Sequence, residues 1–140
     1  HLAAFAYILA RAAAADLDLS DVEMGVIERL VAEHGGLAEA QAVLVARMAR
    51  QQELLFGETE DFVVTRQFRE ISTPDERLDL LRCCYLVGAA DDTITNEESD
   101  TLQEIAKELD VDADAVKAIR REFEPKLAAM QRLLRMQAGS

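Results

Sequence analysis

The chain has 140 residues, of which 50% are hydrophobic and 30% charged, enough for one globular domain with a real core and unlike a disordered segment. Its net charge of −12 excludes a general nucleic-acid binder, because phosphate contacts need a basic footprint. Aromatic residues make up 5% and Trp is absent, so the core must come from Leu, Val, Ile and Ala, as in helix bundles.

The charge is uneven. Residues 116–140 hold six basic residues against two acidic ones, a net +4, which leaves −16 for the first 115. Cys83 and Cys84 are adjacent on a run with helical character, where neighbouring side chains diverge by about 100°, so no disulfide framework is expected. No apolar stretch is long enough to span a bilayer and none resembles a signal peptide. A cytoplasmic protein without direct membrane insertion is the expectation.

Leu2, Phe5, Ala6, Leu9 and Ala13 recur at three and four residues and predict a first helix to about Ala15. After the turn at Asp16–Leu19, Ser20 and Glu23 form a capping-box pair, and Val22, Val26, Leu30 and Val31 give the stripe of a second helix that ends at Gly35-Gly36. A third helix is expected from Leu37 to Leu55, with Ala40, Val43, Leu44, Ala46 and Met48 packing inward and Gly57 stopping it. Phe62, Val63, Arg66, Phe68 and Ile71 then suggest a shorter helix. Thr73 as N-cap, Pro74 at the first helical position and Glu76 two residues on start the next, which carries Leu78, Leu81, Tyr85, Leu86 and Ala89 inward.

A second acidic turn follows, with Thr95 and Glu98 as its capping pair and Leu102, Ile105, Ala106 and Leu109 as the stripe. Asp112 opens a segment in which Val116, Ile119 and Phe123 keep the period. Pro125 calls for a kink or a new helix with Leu127, Met130, Leu133 and Leu134 on its apolar face. The sum is an all-α fold: an antiparallel bundle of about seven helices, one domain over residues 1–140.

The most informative feature is a repeat. Ala15-Asp16-Leu17-Asp18-Leu19-Ser20-Asp21-Val22-Glu23 and Ala90-Asp91-Asp92-Thr93-Ile94-Thr95-Asn96-Glu97-Glu98 share the pattern Ala-Asp-x-x-[Leu/Ile]-[Ser/Thr]-x-x-Glu. Downstream, Ile27 falls on Leu102, Leu30 on Ile105 and Val31 on Ala106, which marks two helix-loop-helix units of about residues 1–56 and 74–135. Capping accounts for Ser20/Glu23 and Thr95/Glu98, each cap being worth ~1 kcal/mol. It leaves Asp16 and Asp91 unexplained.

A cation site would explain them. Asp16 and Glu23, or Asp91 and Glu98, supply hard oxygen ligands suited to Ca²⁺ or Mg²⁺, next to the carbonyl end of the preceding helix, with Asp18 and Asp92 as accessory carboxylates. An EF-hand loop is excluded, since Asp91 and Glu98 match only its back half, and the first and third ligand places would be Val87 and Ala89.

The arrangement resembles the TerB family, the helical proteins of bacterial tellurite-resistance operons, and TerB-like domains appended to other proteins. The resemblance rests on the two Asp-x-x-[Leu/Ile]-[Ser/Thr]-x-x-Glu turns and spans nearly the whole chain; Leu17 and Asp92 stand where the family usually has glycine. It implies a small all-α module linked to tellurite, metal or chemical-stress response, working with a protein partner that is membrane-associated and so placing the module at the periphery of the inner membrane. Asp16, Glu23, Asp91 and Glu98 match the family's acidic positions.

No phosphate-binding Gly loop, nucleophile with a base, or His-rich triad is present, so no enzyme is expected. The alternative is an adaptor with no metal function, docking a partner through Arg120 and Arg121 in its basic end.

Overall fold

The computed structural model describes residues 1–13, 21–90 and 96–123, and all its regular structure there is helical. The helices are α1 (Leu2–Ala13), α2 (Asp21–Gly35), α3 (Glu39–Ile71), α4 (Pro74–Gly88) and α5 (Asn96–Glu108), followed by α6 over residues 113–123. The helix expected around Leu127–Leu134 lies outside the described residues. None of the described helices is long and apolar enough to cross a membrane.

The first helix is the hub. Every residue from Phe5 to Ala13 is buried, and α1 packs against α2, α3, α4 and α5, most extensively against α3. A helix apolar on all sides has no solvent face to satisfy, so it belongs in the centre rather than on the rim. The buried residues form one cluster that joins the two halves of the chain: Leu9, Ile27 and Val31 lie in it with Leu81, Leu102 and Ile105, and Val26 and Leu30 pack against it. Leu86 does not. The inward face of α4 carries Leu81, Cys84, Tyr85 and Gly88, spaced three and four apart, which turns Leu86 toward solvent.

The helix ends follow local chemistry. Gly36 adopts φ +61°, and the Leu37 amide donates to the Ala32 carbonyl at 3.0 Å, a left-handed stop for α2. Asp110 closes α5 with φ 58° while the Val111 amide donates to the Ala106 carbonyl at 3.0 Å. Asp and Asn tolerate this region better than most residues. At the start of α4 the Glu76 amide donates to Thr73 Oγ1 at 3.2 Å and the Thr73 amide donates to Glu76 Oε1 at 2.9 Å, the capping box expected there, with Pro74 at the first position. His34, in the last turn of α2, stacks on the buried Phe5 ring with centroids 3.9 Å apart. Cys84 is buried and Cys83 half-buried, both as thiols, and burial pushes Cys83 up to about 11.

The largest departure from the sequence reading is α3. It runs unbroken for 33 residues, ~50 Å, through the Gly57 that should have stopped it. Its buried residues are Ala42, Ala46, Ala49, Thr65 and Phe68; Ala40, Leu44 and Met48, expected to pack inward, are exposed, as are Phe62, Val63 and Ile71, which suggested a separate helix. The small side chains of the N-terminal half are the ones that let α3 lie against its neighbours, so the large ones face away. Gly57 is tolerated because Glu53 and Asp61, one turn to either side, lean across its bare backbone: a Cβ there would stand 2.8 Å from Glu53 Oε1 and 3.4 Å from Asp61 Oδ1.

Gly inside a helix costs ~1 kcal/mol relative to Ala, and the Glu53 carboxylate is the movable end of a flexible side chain. Gly57→Ala should therefore raise the melting temperature by ~2–4 °C. A lower melting temperature in differential scanning calorimetry would show that the bare backbone is required.

Candidate functional site

Two of the four recurring acidic residues are described, and both are buried. Glu23 is 3% exposed and Glu98 is 4% exposed, each the third residue of its helix. Each heads the stripe that enters the core: Glu23, Ile27 and Val31 on α2, and Glu98, Leu102 and Ala106 on α5, all buried at four-residue spacing. Glu76 provides the contrast. It is also the third residue of its helix and acts in a capping box, yet its side chain is 40% exposed. Capping alone does not require a glutamate to be buried.

Asp16, Asp18, Asp91 and Asp92 lie outside the described residues, as do Ser20 and Thr95. Among the described residues, no group of three or more His, Cys, Asp or Glu side chains is placed to hold a metal ion. Whether the two aspartates share one surface likewise falls outside them.

Arg120 and Arg121 are both exposed on α6. Arg120, with Lys107 and Lys117, edges a shallow groove of about 240 Å³ between α5 and α6, whose floor includes Ala106, Val111 and Val116. Arg121 is not part of its lining.

A polar cluster that the sequence reading did not single out joins α1, α3 and α5. Arg11 is buried and donates through Nη1 to Thr65 Oγ1 and Glu108 Oε1, both at 3.1 Å, and through Nη2 to Glu108 Oε2 at 2.9 Å. The two bonds to Glu108 form a bidentate pair. Glu104 Oε2 lies 3.4 Å from Nη2, and Asp61 Oδ2 lies 3.5 Å from Nε. Tyr7 donates its hydroxyl to Asp61 Oδ1 at 2.7 Å.

Burial works against the Arg11 charge, but the hydrogen bond and charge of Glu108, then Asp61 and Glu104, outweigh it and hold the guanidinium protonated more firmly than usual. Asp61 is pushed up, chiefly by burial, against the pull of the Tyr7 hydroxyl and Arg11. Glu53 is pushed up by burial and then by Asp61. Burial, together with the Asp61 hydrogen bond and charge, also keeps the Tyr7 phenol neutral. A sequence signal for the cluster exists: Arg11 is the single charged residue in an otherwise uncharged α1.

Compared with known proteins, the chain matches a family model described as tellurite resistance protein TerB over residues 1–121. The chain belongs to the TerB family. No curated protein and no solved structure matches it. In this TerB chain the family match covers both helices that begin with the buried glutamates, all of the Arg11 cluster, and Arg120 with Arg121.

The raised Glu53 carboxyl gives a pH test. A group whose folded pKa lies above its unfolded value contributes stability that is fully present below the unfolded pKa and lost as pH rises through the folded one. Ionised Glu53 is therefore a liability at neutral pH, and Glu53→Gln should raise the melting temperature at pH 7. The gain should shrink as pH falls through the carboxylate range, where Glu53 is itself neutral. Melting curves of both proteins across that range check this, and a gain independent of pH would refute the electrostatic cause.

Proposed function

We propose that this TerB-family chain is a non-enzymatic helical module whose two acidic turns bind a divalent cation, Ca²⁺ or Mg²⁺, weakly, as part of a response to tellurite, metal or chemical stress. The observation that carries this reading is the burial of Glu23 and Glu98 at the heads of two core-facing stripes, against the half-exposed Glu76 at the same place in a simple capping box. The donor set fits a hard cation, since carboxylate oxygens are the ligands Ca²⁺ and Mg²⁺ take. Glu23 with Asp16 and the accessory Asp18 would hold one ion, and Glu98 with Asp91 and Asp92 the other. Bound metal would neutralise carboxylates in a chain of net charge −12 and tie each turn to the helix that follows it.

Titration calorimetry of metal-stripped protein with Ca²⁺ and with Mg²⁺ should give saturable binding and a chelator-sensitive rise in melting temperature. Asp91→Asn and Glu98→Gln should each weaken it at one turn. No saturable heat at millimolar metal would sink the cation reading.

A second reading, an adaptor with no metal function, is favoured by the groove edged by Lys107, Lys117 and Arg120 over an apolar floor. Basic groups around apolar surface on an acidic protein suit an acidic segment of a protein partner, a membrane-associated one placing the module at the inner membrane from the cytoplasmic side. Arg120→Glu with Arg121→Glu should then abolish recovery of that partner while Asp91→Asn leaves it unchanged. Equal recovery from both variants would remove this groove as the docking site.

A further inference from the structure

The duplication places two grooves in one molecule and so supplies an internal comparison. α2 and α5 end alike: Gly36 and Asp110 both have positive φ, and the amides of the next residues, Leu37 and Val111, donate to the Ala32 and Ala106 carbonyls, both at 3.0 Å. Aligned on these ends, Glu39 and Ala42 of α3 match Ala113 and Val116 of α6, while Glu28 and Gln103 each follow the paired Ile27 and Leu102. The matched residues line matched grooves. Between α2 and α3 a groove of about 310 Å³ is lined by Gly25, Glu28, Arg29, Ala32, Glu39 and Ala42. The α5–α6 groove has Gln103, Ala106, Ala113 and Val116 at four of those places.

Their charge is opposite. Where the first groove has Glu28 and Glu39, the second has Gln103 and Ala113, and its lining adds Lys107, Lys117 and Arg120. All three cations are exposed, and none is ion-paired among the described residues. The neighbouring clefts differ in the same sense. Beside the first groove, Asp21 and Glu28 balance Arg47 and Arg50. Beside the second, Lys107 also lines a cleft of about 290 Å³ with Phe62, Arg66 and Arg69, and its one acid, Glu108, is already held by Arg11. A merely solvated face does not need this difference, because the acids of the first groove serve solubility equally well.

We propose that the α5–α6 groove is the docking member of the pair, taking an acidic segment of a partner protein with apolar side chains on the floor, and that its site continues over Lys107 to Arg66 and Arg69. The inference rests on the adaptor reading of this surface and narrows it to one groove and one occupant. Unpaired cations on a chain of net charge −12 select an acidic occupant. Shape selects a polypeptide: a flat anionic bilayer would meet only the rims, and a phosphate backbone gains nothing from a floor of Ala106, Val111 and Val116.

A fluorescein-labelled peptide of leucine and glutamate at helical spacing is the probe, read by anisotropy on the full chain. Binding should be saturable and weaken as salt is raised. Glutamine in place of the peptide's glutamates should weaken it by at least ~tenfold, and so should Gln103→Glu with Ala113→Glu, which gives the second groove the acids of the first. Both positions are exposed, so circular dichroism should stay unchanged. Arg29→Glu in the first groove and Arg121→Glu outside both linings should leave the affinity within about twofold. Amide shifts on binding should cluster in residues 103–120 and spare residues 25–42. Absence of saturable binding, or binding that the groove variants leave unchanged, overturns the proposal. So does tighter binding of phosphatidylserine vesicles or of an oligonucleotide through the same residues. A partner lost with Arg120→Glu and Arg121→Glu but kept with Gln103→Glu and Ala113→Glu would refute the groove while the adaptor reading stands.

Discussion

Most of this structure depends on placing one guanidinium inside an apolar helix. α1 is buried from Phe5 onward, and Arg11 is its one charged side chain, so the helix can sit at the centre only if that charge is met where it lies. α3 and α5 meet it with Thr65, Asp61, Glu104 and Glu108. Removing one partner from a buried ion pair typically costs about 3–5 kcal/mol, while the intact arrangement need add little over an apolar one, so its main effect is on specificity. It admits α3 and α5 in the register that brings these oxygens to Arg11. The Tyr7 bond to Asp61 repeats that constraint one turn earlier on α1.

The same cluster bears on the continuity of α3. Asp61 belongs to the Arg11 network and shares the space over Gly57 with Glu53, so the glycine lies inside a region held by tertiary contacts on its C-terminal side. The N-terminal half is held separately, by Ala42, Ala46 and Ala49 in the core. With both halves anchored, the helix between them continues through a residue of low propensity, as tertiary packing commonly overrides a cost of ~1 kcal/mol. The consequence is a long rod whose middle, from Gln51 to Phe56, is exposed apart from the half-buried Glu53. Leu54, Leu55 and Phe56 lie exposed in that middle.

The glutamates at the heads of α2, α4 and α5 share one sequence signal and differ in burial. Three helices in this chain follow a Ser or Thr by three residues with Glu. In α4 that Glu is partly solvated and bonds the backbone of Thr73. In α2 and α5 it is turned into the protein together with the residues four and eight further on. Leu80 and Cys84, four and eight residues after Glu76, are buried as Ile27 and Leu102 are, so place in the stripe does not by itself decide whether the glutamate is buried.

What the sequence by itself determined is what local chemistry controls: the all-α class, the Thr73–Glu76 capping box with Pro74, the glycine stop after α2, and the stripes of α1, α5 and α6, whereas α2 buries Glu23, Met24, Ile27 and Val31 and leaves Val22 exposed. These rest on spacing and on bonds spanning a few residues, and the TerB resemblance drew on the same short patterns. Only the tertiary structure decided whether Gly57 ends a helix, because that turns on anchors to either side, Ala49 before and Asp61 and Thr65 after, whose partners lie on other helices. It also decided which of two apolar faces α3 buries, since alanines permit close approach where Leu44 and Met48 would hold the helices apart. The Arg11 cluster was beyond local reading for the same reason: the partners of Tyr7 and Arg11 lie 50 to 97 positions along the chain, and only packing α1 between α3 and α5 brings their charges together.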